Sequence, residues 1–309
     1  MKIAKIRFLL FAIVLFTACK PDGASPTTDT TDTLEVASDN YKSQPSMATG
    51  NALIMEISRK LSDSNLSDAD RNKYLEKGLQ ISKEQNIVAR QGSFLFPYIK
   101  NNMDKPDIQN KIYDLAELMR ELKKNAAANV LYKGLTDKFP NFKSAEEISA
   151  KMSTHVANVD DYVMDLGKVI FENPDENGVN RNAALQYVDA CEAYAIVYQD
   201  STAAEYLFKA AKIAESIRTF PKSLSLYDWV IDKYPNHVKA PTAMFLKGFI
   251  IENNLGNDSL ALVSYKEYMA RYPNDDLVDD AQFLIDNLGK TDEEILKLIE
   301  DKRKEKAGQ

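Results

Sequence analysis

The residues able to do chemistry in this chain are few and scattered. There are two histidines, His155 and His237, and two cysteines, Cys19 and Cys191. No Gly-x-Ser-x-Gly, Gly-rich phosphate loop, Cys-x-x-Cys or His-Glu-x-x-His occurs, so the motifs that expose a serine, cradle a nucleotide or hold zinc are missing. His237 follows the Pro235-Asn236 turn, where exposed polar residues are ordinary. The acid pairs Asp160-Asp161 and Asp279-Asp280 are adjacent, so they diverge around a helix and do not converge as a general acid and base must. They read as caps or solvated faces. No catalytic residue and no cofactor is expected.

One stretch imitates a metal site. Asn173-Pro174-Asp175-Glu176-Asn177-Gly178 has the oxygen-ligand and glycine spacing that opens a calcium loop, but Ala184 stands at the twelfth position, where a bidentate acid belongs. An inter-helix turn rich in Asn, Asp and Gly explains it, and no metal is expected. Cys191 lies among Ala190, Ala193 and Tyr194 in a helical pattern, which suits a small buried packing residue better than a reactive thiol.

Cys19 is a different matter. Lys2, Lys5 and Arg7 precede the apolar run Phe8 to Ala18, which is shorter than the roughly 20 residues a spanning helix needs. Residues 1–18 therefore read as a secretory signal peptide. Phe16-Thr17-Ala18-Cys19 resembles the lipobox of bacterial lipoproteins, with Phe16 where leucine is usual. The resemblance implies that Cys19 is lipidated, palmitate included, becomes the mature N-terminus and holds the protein on a membrane. In the sorting rule of that family, Lys20 in place of Asp implies the outer membrane, on its periplasmic face or alternatively at the cell surface. With Cys19 acylated, Cys191 has no partner for an intramolecular disulfide. Loss of the signal removes three cations and no acid, so the formal net charge of −7 becomes more negative still. An acidic chain is not drawn to phosphate backbones, and nucleic acid is not an expected partner. Lys302-Arg303-Lys304 sits beside Glu300, Asp301 and Glu305 and reads as a solvated helix end.

The elements that must position any site are helical by pattern. Residues 19–48, with Pro21, Pro26 and Pro45 among many Ser, Thr and Asp, read as a flexible tether. Residues 49–108 read as N-terminal helical hairpins, with Leu53, Met55, Ile57 and Leu61 on a first amphipathic helix and Ser67 capping a second. Further on, one signature recurs. Asp137-Lys138-Phe139-Pro140-Asn141 is echoed by Asp232-Lys233-Tyr234-Pro235-Asn236 and by Ala270-Arg271-Tyr272-Pro273-Asn274. Tyr132, Tyr227 and Tyr265 stand at one fixed distance before the prolines, and Ala128, Ser223 and Ala261 at another. Ala116, Ala211 and Gly248 lie further back still. Small residues permit close helix approach, rings fill the grooves, and proline ends the second helix.

This small–aromatic–proline pattern resembles the tetratricopeptide repeat, about 34 residues per hairpin. The expected fold is all-α: an α-α superhelix, a tetratricopeptide-repeat solenoid, following the signal peptide and tether. Repeats are placed at 109–142, 204–237 and 241–275 within a 109–275 domain. A degenerate one fills 155–200, with Leu166-Gly167 as its close-packed pair, and another spans 67–102. Residues 276–309 read as capping helices, with Gly289 a stop and Thr291 a cap.

Tyr206 to Ala211, Gly248 to Asn253 and Asp280 to Lys290 are also similar to envelope tetratricopeptide lipoproteins of the outer-membrane assembly lipoprotein D group and the periplasmic partner of the Tol–Pal system. That likeness implies a protein–protein scaffold whose partners are other envelope proteins or peptides, with no small-molecule substrate. The family's ligand contacts come from the first helix of each hairpin. Carried over, they are Tyr113, Glu117 and Arg120, then Phe208 and Lys212, then Phe245, Phe249 and Glu252 on a concave face. The four aromatics suggest a groove for a helix or extended peptide, and packing between repeats is the open alternative. A second functional reading is a surface lipoprotein capturing glycan or nutrient for a transporter. Such proteins carry tryptophan platforms, whereas Trp229 is the only tryptophan here and its spacing is structural.

Overall fold

Side-chain caps fix where the helices begin. Asp32, Ser46, Ser67, Ser144, Asn158, Asn180, Asp200 and Asn257 each accept a hydrogen bond from the first turn that follows them. The computed structural model describes residues 32–300 apart from 64, 177, 292, 295, 298 and 299. The signal peptide, Cys19 and residues 301–309 lie outside the described residues.

Among the described residues all regular structure is helical. The N-terminal part holds α1 (Thr33–Ser43), α2 (Met47–Leu61), α3 (Asp68–Glu84) and α4 (Val88–Asn101). The middle holds α5 (Ile108–Glu121), α6 (Asn125–Lys138), the short α7 (Ala145–Ser149), α8 (Val159–Val169) and α9 (Arg181–Val197). The last part holds α10 (Ser201–Ser216), α11 (Phe220–Lys233), α12 (Ala240–Asn253), α13 (Asp258–Arg271) and α14 (Val278–Asn287). No helix among them is long and apolar enough to cross a membrane.

Three hairpins close in the same way, and a fourth by a turn one residue longer. Asn86, Lys123, Arg218 and Gly256 take left-handed backbone between α3 and α4, α5 and α6, α10 and α11, and α12 and α13. The amides just after the first three, of Ile87, Lys124 and Thr219, donate back to the carbonyls of Ser82, Met119 and Ala214, whereas Asn257 after Gly256 donates to Ile251. This satisfies carbonyls that the helix ends would otherwise strand.

Packing inside the hairpins follows the sequence register. Gly248 faces the Tyr265 ring so closely that an added Cβ would lie 2.7 Å from it, and Gly78 faces Phe94 at 2.5 Å. Ala116 with Tyr132 and Ala211 with Tyr227 occupy the equivalent positions and are buried. Each ring removes a large apolar surface from water, which is the main stabilising term in such a stack. From α1 to α6, and again from α9 to α14, each helix packs on the next. The result is an all-α superhelix of tetratricopeptide type.

Three expectations are corrected. The tether does not reach residue 48, because Thr33–Ser43 is helical. Its few apolar residues are enough because α2 and α3 complete the contact: Leu34 and Ala37 are buried, Lys60 pairs with Asp32 at 3.1 Å, and Tyr41 donates to Glu84 at 2.8 Å. In the 155–200 repeat, Gly167 does face Tyr187, whose ring would lie 3.2 Å from an added Cβ, but α9 packs mainly on α6 rather than α8. Gly134 permits this, since a Cβ there would sit 2.5 Å from Val197. Finally, α7 was not expected; it and α8 lie beside the main stack, against α6 and α9.

Candidate partner-binding cleft

One concavity is built mostly by second helices, with the first helix α5 on one wall. A cleft of about 350 Å³ opens between α4, α5, α6, α9 and α11, with Phe96, Pro97, Leu115, Met119 and Leu131 on its walls. It exists because α4 and α11, far apart in sequence, converge. Phe96 meets Trp229 edge-on at 5.6 Å between centroids, and the Lys100 ammonium lies 4.3 Å from the Trp229 ring centre.

Helix α9 forms the floor. It is buried nearly all round by small residues, including Ala184, Ala190, Ala193 and Ala195, so neighbouring helices approach closely. Two acids interrupt that apolar helix one turn apart and face the cleft together. Asp189 pairs with Lys124 at 2.8 Å, and both oxygens of Glu192 accept from Lys222 at 3.0 Å. Burial pushes the Glu192 carboxyl upward, and Lys222 opposes that shift. Burial likewise pushes Lys100 down, to about 8.

That shift carries a testable sign. The folded protein holds Lys100 below the ordinary lysine value of 10.5, so the unfolded chain binds more protons between pH 8 and 10.5. The contribution of Lys100 to stability is therefore least favourable below pH 8 and improves as pH rises towards 10.5. Trp229, the single tryptophan, reports on the site. Its emission is expected to titrate with a midpoint near pH 8, and Lys100→Met should abolish that transition.

The first-helix residues expected to bind a partner are placed elsewhere; none of the eight lines this cleft. Phe208 is buried and packs against Tyr227 at 5.8 Å, so it is a core residue and Phe208→Ala is a packing deletion. Phe245 is half-buried against Tyr265 and Tyr268. Phe249 is exposed, and Glu252 accepts the Tyr265 hydroxyl proton at 2.7 Å. Lys212 edges a shallow hollow beside Gly167, Phe171 and Tyr187.

Tyr113, Glu117 and Arg120 do come together, but the chain itself occupies them. Phe142 packs on Tyr113 at 5.8 Å, and Lys151, just after α7, reaches Glu117 at 2.8 Å. Glu117 also accepts from Tyr132 at 2.6 Å and Arg120 at 2.8 Å. Burial would raise its carboxyl, but these three donors outweigh it and hold Glu117 at about 2.

Most residues that line the cleft lie on second helices, whose small and aromatic positions read in the sequence as packing surfaces. Two signals pointed to it: Pro97 inside a helical pattern, and Asp189 with Glu192 inside an apolar one. Among the described residues no group of three or more His, Cys, Asp or Glu is arranged to hold a metal ion.

No family model and no curated protein matches this chain. A solved structure is similar. It is the crystal structure of a tetratricopeptide repeat protein from Parabacteroides merdae, at 12% identity and a TM-score of 0.29, covering 82% of this chain and 97% of that one. The fold described above rests on the helices and their packing, not on this likeness.

Proposed function

We propose that the protein is a membrane-anchored adaptor of the bacterial cell envelope, tethered through lipids on Cys19, that docks a segment of another envelope protein in the cleft between α4 and α11. Work in outer-membrane protein assembly, or beside the Tol–Pal system, is the setting that the sequence likeness favours. The observation that carries the docking role is the cleft: an apolar-walled concavity with two ion pairs on its floor. Ligand sites characteristically combine such walls with a few placed polar groups. The anchor rests on the sequence around Cys19. Each lipid CH₂ buried in a bilayer contributes about 0.8 kcal/mol, so several acyl chains hold durably.

Two variants test the proposal. Cys19→Ser should move the protein from the membrane to the soluble fraction, and continued sedimentation with membranes would sink the anchoring claim. Ser93 is exposed at the cleft, so Ser93→Trp adds bulk there without entering the core. Affinity capture from solubilised membranes should lose its assembly or division proteins in Ser93→Trp, with helical circular dichroism unchanged. An identical set of captured proteins would exclude the cleft as the docking site, and capture of a transporter would favour nutrient uptake instead.

A further inference from the structure

The charges on the floor of the cleft are unequally buried. Asp189 and Glu192 are held close to α9, with side chains only 20% and 9% exposed. Lys124 and Lys222 come from the starts of α6 and α11, are each 43% exposed, and reach the floor on long stems. These stems can swing into water, but the carboxylates have nowhere else to go.

An arriving anion would meet the two buried carboxylates beside the ammoniums of Lys124 and Lys222. An arriving cation on an apolar stem would find the two carboxylates below it once the lysine ends swing aside, with Phe96 and Met119 flanking the stem. Burial pushes the Glu192 carboxyl upward even with Lys222 opposing it, so a further cation against that carboxylate would stabilise its charged form. Resting on the docking role above, we propose that the cleft takes a cationic side chain of the partner, an arginine, with its stem between Phe96 and Met119 and its guanidinium on Glu192 and Asp189. A planar guanidinium can meet a carboxylate through two parallel hydrogen bonds, which an ammonium cannot.

The test is an NMR titration of the full-length protein, following the Gly92 and Ser93 amides, with three probes. These are N-acetyl-arginine methylamide, its uncharged citrulline analogue and N-acetyl-glutamate methylamide. The arginine probe should bind about tenfold more tightly than citrulline, the margin of one charge-assisted hydrogen bond. Glu192→Gln should erase that preference. Asp189→Asn, at the more exposed acid, gives the same reading should Glu192→Gln fail to fold. Equal or absent shifts from the arginine and citrulline probes, or a stronger response to glutamate, would overturn the proposal. If arginine fails while Ser93→Trp still loses its envelope partner, the docking role stands and only its chemistry is wrong. If both fail, the cleft is not the site.

Discussion

Gly134→Leu is expected to unfold the centre of the array, with a loss of stability above about 3 kcal/mol. A Cβ at this position would lie 2.5 Å from one methyl of Val197 and 3.0 Å from its Cβ. Val197 cannot yield, because its branch point is itself in the contact and it lies buried at the end of α9. Even Gly134→Ala should destabilise, although alanine is the better helix former by about 1 kcal/mol. Gly92→Ala is the control. Its nearest neighbour would be Leu118 at 3.6 Å, ordinary contact, so there the helix preference acts alone and a gain of about 0.5–1 kcal/mol is expected. Urea denaturation of the three variants measures both signs. Destabilisation by Gly92→Ala equal to that by Gly134→Ala would refute the close approach of α6 and α9.

Tyr265→Ala should cost about 3–5 kcal/mol, because a fully buried ring leaves a cavity against Gly248 that the backbone cannot refill. Removing only hydroxyls separates three equivalent rings that the sequence pattern treats alike. Tyr132 donates to Glu117 at 2.6 Å and Tyr265 to Glu252 at 2.7 Å. The Tyr227 hydroxyl is buried with no hydrogen-bond partner among the described residues, near Glu215, whose carboxyl burial pushes upward. Tyr132→Phe and Tyr265→Phe should therefore each lose about 1.5 kcal/mol or more, the worth of a hydrogen bond to a charged group. Tyr227→Phe should be neutral or stabilising. A common loss in all three would show that the Tyr227 hydroxyl finds a partner in solution.

The repeats were legible because three prolines stop three second helices at a constant distance from a small residue and a tyrosine. The degenerate repeat 67–102 obeys the same spacing, with Gly78 and Phe94 at the matching places and Asn102 standing for proline. Asn102 ends α4 chemically, since its buried amide donates to the Tyr98 carbonyl at 2.7 Å. Helix α1 was not legible, because its polar side chains find partners on α2 and α3 that no local pattern encodes.

The side of the stack that closes was not legible either. Curvature depends on what fills each side. The segment carrying α7 covers Tyr113 and Glu117 on α5, and α8 packs on α9 near α10. These additions thicken the first-helix side, and the second helices converge on the other, at Phe96 and Trp229. Family positions carried over residue by residue therefore fell on core, on covered surface or on the outer face.

The most direct measurement is photo-cross-linking in intact cells, with a benzophenone amino acid placed at Ser93 in one strain and at Phe249 in another. Ser93 lines the cleft, and Phe249 is the exposed first-helix aromatic. The account predicts one discrete adduct with an envelope protein from position 93 and none from position 249. An adduct from 249 alone would contradict it and return the binding face to the first helices.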